Sequence, residues 1–172
     1  MVEHATTAAE FTSALAEFAS GVAVVAVRDD DDDVGITTTA FASVSLEPPL
    51  VLVAINSASY VDEVLAARER WAVSVLARDQ EHVASRFAVA GRPSARHLLT
   101  DLGHHRGELS GALIVDDGLT ALECQTHDRV PAGDHTVLIG RVLQVDYRDP
   151  DRPPLIHFRS RYRGLAGPGR AG

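Results

Sequence analysis

The stretch that decides the fold contains two predicted strands and reads Gly35-Ile36-Thr37-Thr38-Thr39-Ala40-Phe41-Ala42-Ser43-Val44-Ser45-Leu46-Glu47-Pro48-Pro49-Leu50-Val51-Leu52-Val53-Ala54-Ile55. Its three consecutive threonines are β-branched, which favours a strand over a helix. Along a strand Thr37 and Thr39 face one side and Thr38 the other. The small alanines that follow leave room for a flat ligand, and the hydroxyls can bind its polar edge. Pro48-Pro49 cannot donate to a sheet, so the first strand ends there and a buried strand follows.

This stretch resembles the hallmark segment of the flavin reductase family with an FMN-binding split β-barrel, the small reductase components of two-component flavin-dependent monooxygenases. Thr39 stands where that family often has serine, which retains the hydroxyl. The resemblance continues in order along the chain at Trp71–Gln80, Arg86–Ala88, Ala121–Cys124, Ala132–His135 and Arg161–Arg163. Because several motifs match in register, the resemblance extends from the first helix to the last strand.

The resemblance implies a mainly β fold with short helices, a six-stranded antiparallel Greek-key split β-barrel. It implies an NAD(P)H:flavin oxidoreductase that transfers hydride from NADH or NADPH to FMN, with FAD also possible. It further implies a homodimer with flavin sites near the subunit interface. A separate flavin-dependent monooxygenase is the implied recipient of the reduced flavin. The motifs do not distinguish FMN from FAD, or NADH from NADPH.

The resemblance also implies a set of site residues. His135, in the Gly-Asp-His motif, is the expected catalytic residue, which places the nicotinamide on the flavin; the alternative is a turn histidine bonded to the backbone. The implied flavin-binding residues are Thr37, Thr38, Thr39, Ala40, Ala54, Asn56, Ser59, Tyr60, Gln80, Arg86, Phe87 and Tyr162. Strand packing, turn formation or helix capping is the alternative for these positions, and Tyr162 is equally compatible with a dimer seam or an exposed surface.

Ser59 also has a physical reason to mark a functional position. It precedes the periodic segment Tyr60–Arg68, so it is a good helix N-cap, and Asp62 at the third helical position indicates a capping box. The amides at a helix N-terminus attract anions. The sequence therefore predicts a helix start able to hold the flavin phosphate, in agreement with the resemblance.

Composition places the chain among globular proteins. At 172 residues it predicts one domain, 1–172, with flexible tails at about 1–7 and 164–172. Apolar residues make up 45% of the chain, which is enough for a core, and the net charge of −8 disfavours nucleic acids and anionic membranes as partners. The apolar runs are strand-length, so no membrane span is predicted.

Cysteine content and the start of the chain indicate where the protein works. The single cysteine, Cys124, cannot form an internal disulfide, which favours a cytoplasmic location. Residues 1–20 lack a basic region and carry Glu3 and Glu10, so they are not expected to be a signal peptide.

Two local features near the start of the chain carry specific expectations. Ala8–Ala19 is predicted to form an amphipathic helix with Phe11, Leu15 and Phe18 on one face. The acidic run Asp29–Asp33 is predicted to be a solvated hairpin tip, because it lacks the alternating ligands and the glycine of a calcium loop.

The second half of the chain is less readable. Asp79 or its neighbour is predicted to cap a short helix with Phe87 facing inward and Arg86 available at its end. Residues 92–111 resemble a variable loop near the cofactor cleft. Its histidines lack partners at zinc-ligand spacing, so no metal site is predicted. Strands are expected at 119–128, at 136–147 after a turn of 129–135, and at 155–158.

Other chemistry finds little support in the chain. There is no Gly-x-Ser-x-Gly elbow, no P-loop and no Gly-x-Gly-x-x-Gly between a strand and a helix. Two other functions stay open: a non-catalytic flavin-binding electron carrier, and a repurposed split barrel that no longer uses flavin. A split-barrel enzyme for a deazaflavin or a pyridoxal-type ligand is disfavoured by the intact Gly-Asp-His and Ser-Leu-Glu-Pro-Pro motifs.

Overall fold

Twelve strands and four α-helices make up the computed structural model, which describes residues 5–147 and 151–165. The helices are α1 Ala8–Ala16, α2 Tyr60–Ala67, α3 Glu81–Ala88 and α4 Ala95–Leu98, with a 3₁₀ turn at Arg78–Gln80. The strands are β1 Ser20–Gly21, β2 Ala23–Asp29, β3 Asp32–Thr38, β4 Phe41–Leu46, β5 Pro49–Asn56, β6 Arg70–Val75, β7 His104–Arg106, β8 Leu113–Val115, β9 Thr120–Ala132, β10 His135–Tyr147, β11 Leu155–Phe158 and β12 Arg161–Gly164. The prediction of a mainly β protein with short helices is confirmed.

The main sheet has seven antiparallel strands in the order β3-β2-β6-β9-β10-β5-β4. Its two edge strands, β3 and β4, follow each other directly in the chain, so the sheet curls until its edges meet. Residues 39–40 form the seam between the two edges, and the Ala54 amide of β5 donates to the Ala40 carbonyl at 3.1 Å, which extends the β4–β5 pairing by one residue. The sheet has seven strands where six were predicted, because the segment expected to form one strand divides between Thr38 and Phe41.

Two apolar layers pack on opposite faces of β2. Val25 and Val27 lie in one buried cluster with Trp71 and the interior of the curled sheet. Val24 lies in a second cluster with Phe87 of α3. A strand buried on both faces has an unbroken apolar sequence rather than an alternating one, which is the pattern of residues 22–27. The layer outside the sheet thereby fixes α3 against β2 and β3.

Helix α1 forms as predicted but packs differently from the usual amphipathic helix. A capping box between Thr7 and Glu10 begins it, and it ends at Ala16 rather than Ala19. None of its residues is buried, and Phe11, Leu15 and Phe18 are all more than half exposed. The described residues therefore leave more than half of the surface of each of these three residues uncovered.

The acidic run Asp29–Asp33 forms a hairpin tip, as predicted, with Asp30 and residue 31 in the turn. The prediction that the whole run is solvated is wrong for Asp33, whose residue is only 1% exposed. Asp29 is also engaged, because it accepts hydrogen bonds from Arg68.

Several boundaries differ from the predictions. The β9–β10 turn is only residues 133–134, because β9 continues to Ala132. Residues 92–111 contain α4 and β7, and β12 was not predicted. Of the two candidates for the helix cap, the neighbour Gln80 is the N-cap residue of α3, without a capping side-chain bond, whereas the Asp79 carboxylate accepts from Arg152 at 2.5 Å. Of the predicted tails, residues 1–4 and 166–172 lie outside the described residues, while Thr7 and Gly164 belong to ordered elements.

Within residues 5–147 and 151–165, none of the helices combines the length and the apolar character needed to cross a bilayer.

Candidate functional site

A cavity of about 430 Å³ opens where three segments meet. The first wall is the start of β3, at residues 32–35, and the second is the β5–α2 connection, between residues 56 and 61. The third is the segment after α3, at residues 90–94. Three predicted residues, Asn56, Ser59 and Tyr60, line this cavity together.

The β5–α2 wall is built by short-range hydrogen bonds. The Asn56 Oδ1 accepts from the Ala58 amide at 2.9 Å, and the Ser59 Oγ accepts from the Asp62 amide at 3.2 Å. The N-cap prediction for Ser59 is therefore confirmed. The full capping box is not formed, because the Asp62 carboxylate turns to Arg129 at 2.8 Å. The remaining amides at the start of α2 give this wall a positive partial charge.

The 90–94 wall contributes Arg92, which the sequence analysis missed. Its Nε donates to the Gly35 carbonyl at 2.5 Å and its Nη1 to the Val89 carbonyl at 3.1 Å. Burial lowers the pKa of this guanidinium. Among the described residues no carboxylate forms an ion pair with Arg92, so its positive charge is balanced only by carbonyl dipoles. The preceding Gly91 has a φ of +66°, a left-handed conformation that glycine adopts without strain.

Tyr60 forms an edge of the cavity beside the acidic hairpin tip. Its hydroxyl donates to the Asp29 Oδ2 at 3.0 Å. This bond raises the pKa of Tyr60, while bonds from Arg68 and Tyr60 lower the pKa of Asp29. Arg68, which pairs with Asp29 and Asp30, offsets part of the charge of the acidic tip.

The threonine run serves two different purposes. The Thr37 hydroxyl donates to the Ala84 carbonyl of α3 at 2.7 Å, and the buried Thr38 Oγ1 accepts from the Ala40 amide at 3.1 Å. The expected alternation stops there, because β3 ends at Thr38 and Thr39 is exposed beyond it. Thr39 and Ala40 therefore lie at the seam between the sheet edges, next to Ala54.

His135 begins β10 and lies opposite Asn56 of β5 in the strand register. Its Nδ1 is 2.7 Å from the Asp134 Oδ1, and this contact lowers the pKa of Asp134. An ionised carboxylate only accepts hydrogen bonds, so Nδ1 carries a proton in this contact, and in a neutral imidazole Nε2 is then the acceptor. The Asp134 carbonyl accepts from the Ser57 amide at 3.0 Å, which ties this turn to the β5–α2 wall. The side chain of His135 is bonded to a carboxylate rather than to the backbone.

Four other predicted site residues are held by protein contacts outside the cavity that the described residues form. They are Gln80, bonded to the Ala77 amide and the Asp116 carbonyl; Arg86, paired with Asp101; Phe87, fully buried; and Tyr162, packed edge-on to His157. The expectation that Arg86 is available is wrong, because Asp101 and the Leu98 carbonyl bind its guanidinium. Phe87 presents no surface to a ligand because it packs against Gly35.

Comparison with known proteins agrees with this architecture. The family model described as flavin reductase like domain matches residues 15–166, and the chain belongs to this family. The reductase component of 4-hydroxyphenylacetate 3-monooxygenase from Thermus thermophilus is 40% identical over 92% of this chain and 97% of its own length. An NADH-dependent FMN reductase from Streptomyces nodosus subsp. asukaensis is 35% identical over 92% and 85%.

A solved structure shows the same fold. The flavin reductase component of a bacterial two-component tryptophan halogenase superposes with a TM-score of 0.87 at 34% identity, over 92% of this chain and 98% of that one. The predicted family, the split-barrel fold class and the enzyme class, a flavin reductase that uses a nicotinamide nucleotide, are thereby confirmed.

Proposed function

We propose that this protein uses NADH to reduce FMN and that the cavity beside α2 holds the flavin phosphate. The observation that carries the proposal is the presence of the α2 N-terminus and the Arg92 guanidinium in the same cavity. A phosphate monoester needs hydrogen-bond donors and positive charge, and these two walls supply both. FAD remains a second substrate that the same phosphate position accommodates.

The residues present fit a flavin in other respects as well. Thr39, Ala40 and Ala54 offer small, polar and partly exposed surface at the seam of the sheet. We assign the flavin ring to this seam, with Asn56 and Ser59 on its phosphate side. The site is then supported indirectly by Gln80, Arg86 and Phe87, which hold α3 and its flanking segments in place and do not touch the flavin.

His135 is the proposed positioning group for the nicotinamide. When bound, the flavin accepts a hydride equivalent from reduced nicotinamide, and this transfer requires the two rings in close contact. Asp134 orients the imidazole through Nδ1, so that Nε2 of the neutral ring is available as an acceptor. That nitrogen suits the amide of the nicotinamide, which is a hydrogen-bond donor.

We further propose a homodimer and a separate monooxygenase that receives the reduced flavin. The exposed face of Phe11, Leu15 and Phe18 supports the dimer, because a second copy of the chain can cover it through a symmetric interface. Sedimentation at micromolar concentration should give the mass of two chains. We place the protein in the cytoplasm as a single flavin reductase domain, 1–172, and its buried free thiol, Cys124, supports a reducing compartment.

The proposed function is tested by NADH oxidation in the presence of free FMN. We expect oxidation to require added FMN and to continue for many turnovers per chain, with NADPH less effective than NADH. A tightly held flavin that NADH does not reduce would instead identify an electron carrier. Failure to bind any flavin would identify a repurposed barrel.

A further inference from the structure

One carboxylate in the cavity region is buried and receives four hydrogen bonds from two arginines. Asp33 accepts from the Arg96 Nε at 3.2 Å and Nη2 at 3.0 Å, both at its Oδ2. It also accepts from the Arg106 Nη1 at 2.9 Å and Nη2 at 3.1 Å. Its side chain is 1% exposed, whereas the side chains of the two arginines are 54% and 36% exposed.

Burying a charge of this kind costs desolvation free energy, so it is a poor source of stability for a fold. Burial raises the pKa of Asp33, but the hydrogen bonds from Arg106 and Arg96 outweigh it, and the pKa lies below the usual value. The carboxylate is therefore ionised at neutral pH. Buried ion pairs contribute little net stability compared with apolar packing, but they restrict the geometry of the groups that they join.

The groups joined here come from separate parts of the chain. Arg96 belongs to α4, and its Nη2 also donates to the carbonyl of residue 31 at 2.9 Å. Arg106 belongs to β7 and also donates to the Gly111 carbonyl. The Asp33 carbonyl accepts from the Ser94 Oγ at 3.2 Å, and Ser94 is the N-cap of α4. Asp33 thus connects the start of β3 to the segment that carries Arg92.

We propose that Asp33 is a positioning residue that fixes the 90–94 wall and so sets the affinity of the cavity for the phosphate of FMN. This inference rests on the proposed function, because it assumes that Arg92 faces that phosphate. Among the residues that the structure describes, Arg92 has only carbonyl partners, at Gly35 and Val89, so these contacts do not include a charged anchor. The Asp33 carboxylate supplies that anchor through Arg96, on the C-terminal side of Arg92, and the Asp33 carbonyl adds an uncharged bond from Ser94.

The test compares flavins with and without the phosphate. Asp33→Asn keeps the shape of the side chain and removes the charge that holds both arginines. We expect its Kd for FMN to rise about tenfold while its Kd for riboflavin changes less than about twofold. Asp31→Asn is the matched control: it removes the same charge from the exposed turn of the same hairpin and should alter neither Kd.

A double-mutant cycle shows whether Asp33 acts through Arg92. In an Arg92→Met background, Asp33→Asn should have no further effect on the ratio of the FMN and riboflavin affinities. Unchanged FMN affinity in Asp33→Asn overturns the inference, and so does an equal loss for both flavins, which indicates a purely structural residue. If Asp33→Asn does not fold, Arg96→Gln replaces it, and an unaltered affinity ratio in that variant has the same meaning. Wild-type protein that fails to reduce FMN with NADH refutes the proposed function instead.

Discussion

Two walls of the cavity, the β5–α2 connection and the 90–94 segment, are held in place by contacts of very different range along the chain. In the β5–α2 wall, Asn56 bonds a residue two positions away and Ser59 a residue three positions away. In the 90–94 wall, Arg92 bonds Gly35 across 57 positions and Ser94 bonds Asp33 across 61. The first wall forms whenever α2 forms, whereas the second depends on the packing of distant segments.

The two walls also differ in the charge that they offer. The start of α2 provides only the partial charge of backbone amides, about half an elementary charge at most. Arg92 provides a full charge in a partly buried position, where screening by water is weaker. The difference implies that the long-range wall supplies most of the phosphate affinity and that the local wall supplies orientation. Four predictions, from the largest expected effect to the smallest, test that division.

Arg92→Met should have the largest effect on flavin binding. Loss of a charge-assisted hydrogen bond to phosphate costs about 2–3 kcal/mol, so the Kd for FMN should rise about 30- to 150-fold while that for riboflavin stays within about twofold. Titration by quenching of flavin fluorescence measures both constants. Arg70→Met is the control, because Arg70 also bonds a backbone carbonyl but lies outside the cavity. An unchanged FMN affinity in Arg92→Met would contradict the assignment of this wall.

His135→Ala should lower the rate of flavin reduction by NADH without weakening flavin binding to a similar degree. His135 neighbours the local wall through Asn56 without lining the cavity, so the Kd for flavin should change by no more than about threefold. The rate of NADH-dependent flavin reduction should fall about ten- to a hundredfold, equivalent to about 1.5–3 kcal/mol, because the nicotinamide loses its positioning contact. Anaerobic stopped-flow absorbance resolves this step from flavin release.

The exposed His127 of β9 offers a control, and His127→Ala should behave as wild type. Two results count against the assignment of His135: reduction at the wild-type rate at every NADH concentration, or complete loss of flavin binding.

Gly35→Ala tests the backbone that anchors Arg92. An added Cβ at this position would lie 2.7 Å from the Phe87 Cε1 and 3.3 Å from the Val25 carbonyl, and Phe87 is fully buried. We expect a loss of about 1–3 kcal/mol in the free energy of unfolding. Gly21→Ala is the matched control, because nothing lies within 4 Å of its added Cβ. Equal stability of the two variants in urea would show that the contact between β3 and α3 is less rigid than the structure indicates.

Ser59→Asp should have the smallest effect, because aspartate is also a good N-cap and preserves the helix. Its charge opposes the phosphate at the start of α2, which should weaken FMN binding about two- to fivefold and leave riboflavin binding unchanged. The neutral cap in Ser59→Asn serves as the reference. If Ser59→Asp weakens both flavins equally, the helix start itself has been altered.

The same division explains which features the sequence predicts. Ser59 was recognised as an N-cap because the signal lies within four residues. The break at Thr39 was missed because the strand pattern continues unchanged across it. Where the chain leaves one sheet edge and joins the other is set by closure of the whole sheet.

Long-range partners account for the remaining errors. The acidic run at Asp29–Asp33 contains five identical residues, so nothing local distinguishes the buried Asp33 from its solvated neighbours. The distinction comes from Arg96 and Arg106, which lie 63 and 73 positions away. Arg92 was missed for the same reason, because its role depends on Gly35 and on the β5–α2 wall, which are both distant from it in the sequence.

The central claim is that this cavity recognises the phosphate of the flavin. Titration of the wild-type protein with FMN and with riboflavin, under identical conditions, tests it directly. We predict that FMN binds about a hundredfold more tightly, equivalent to about 3 kcal/mol. Equal affinities for the two flavins would contradict the account.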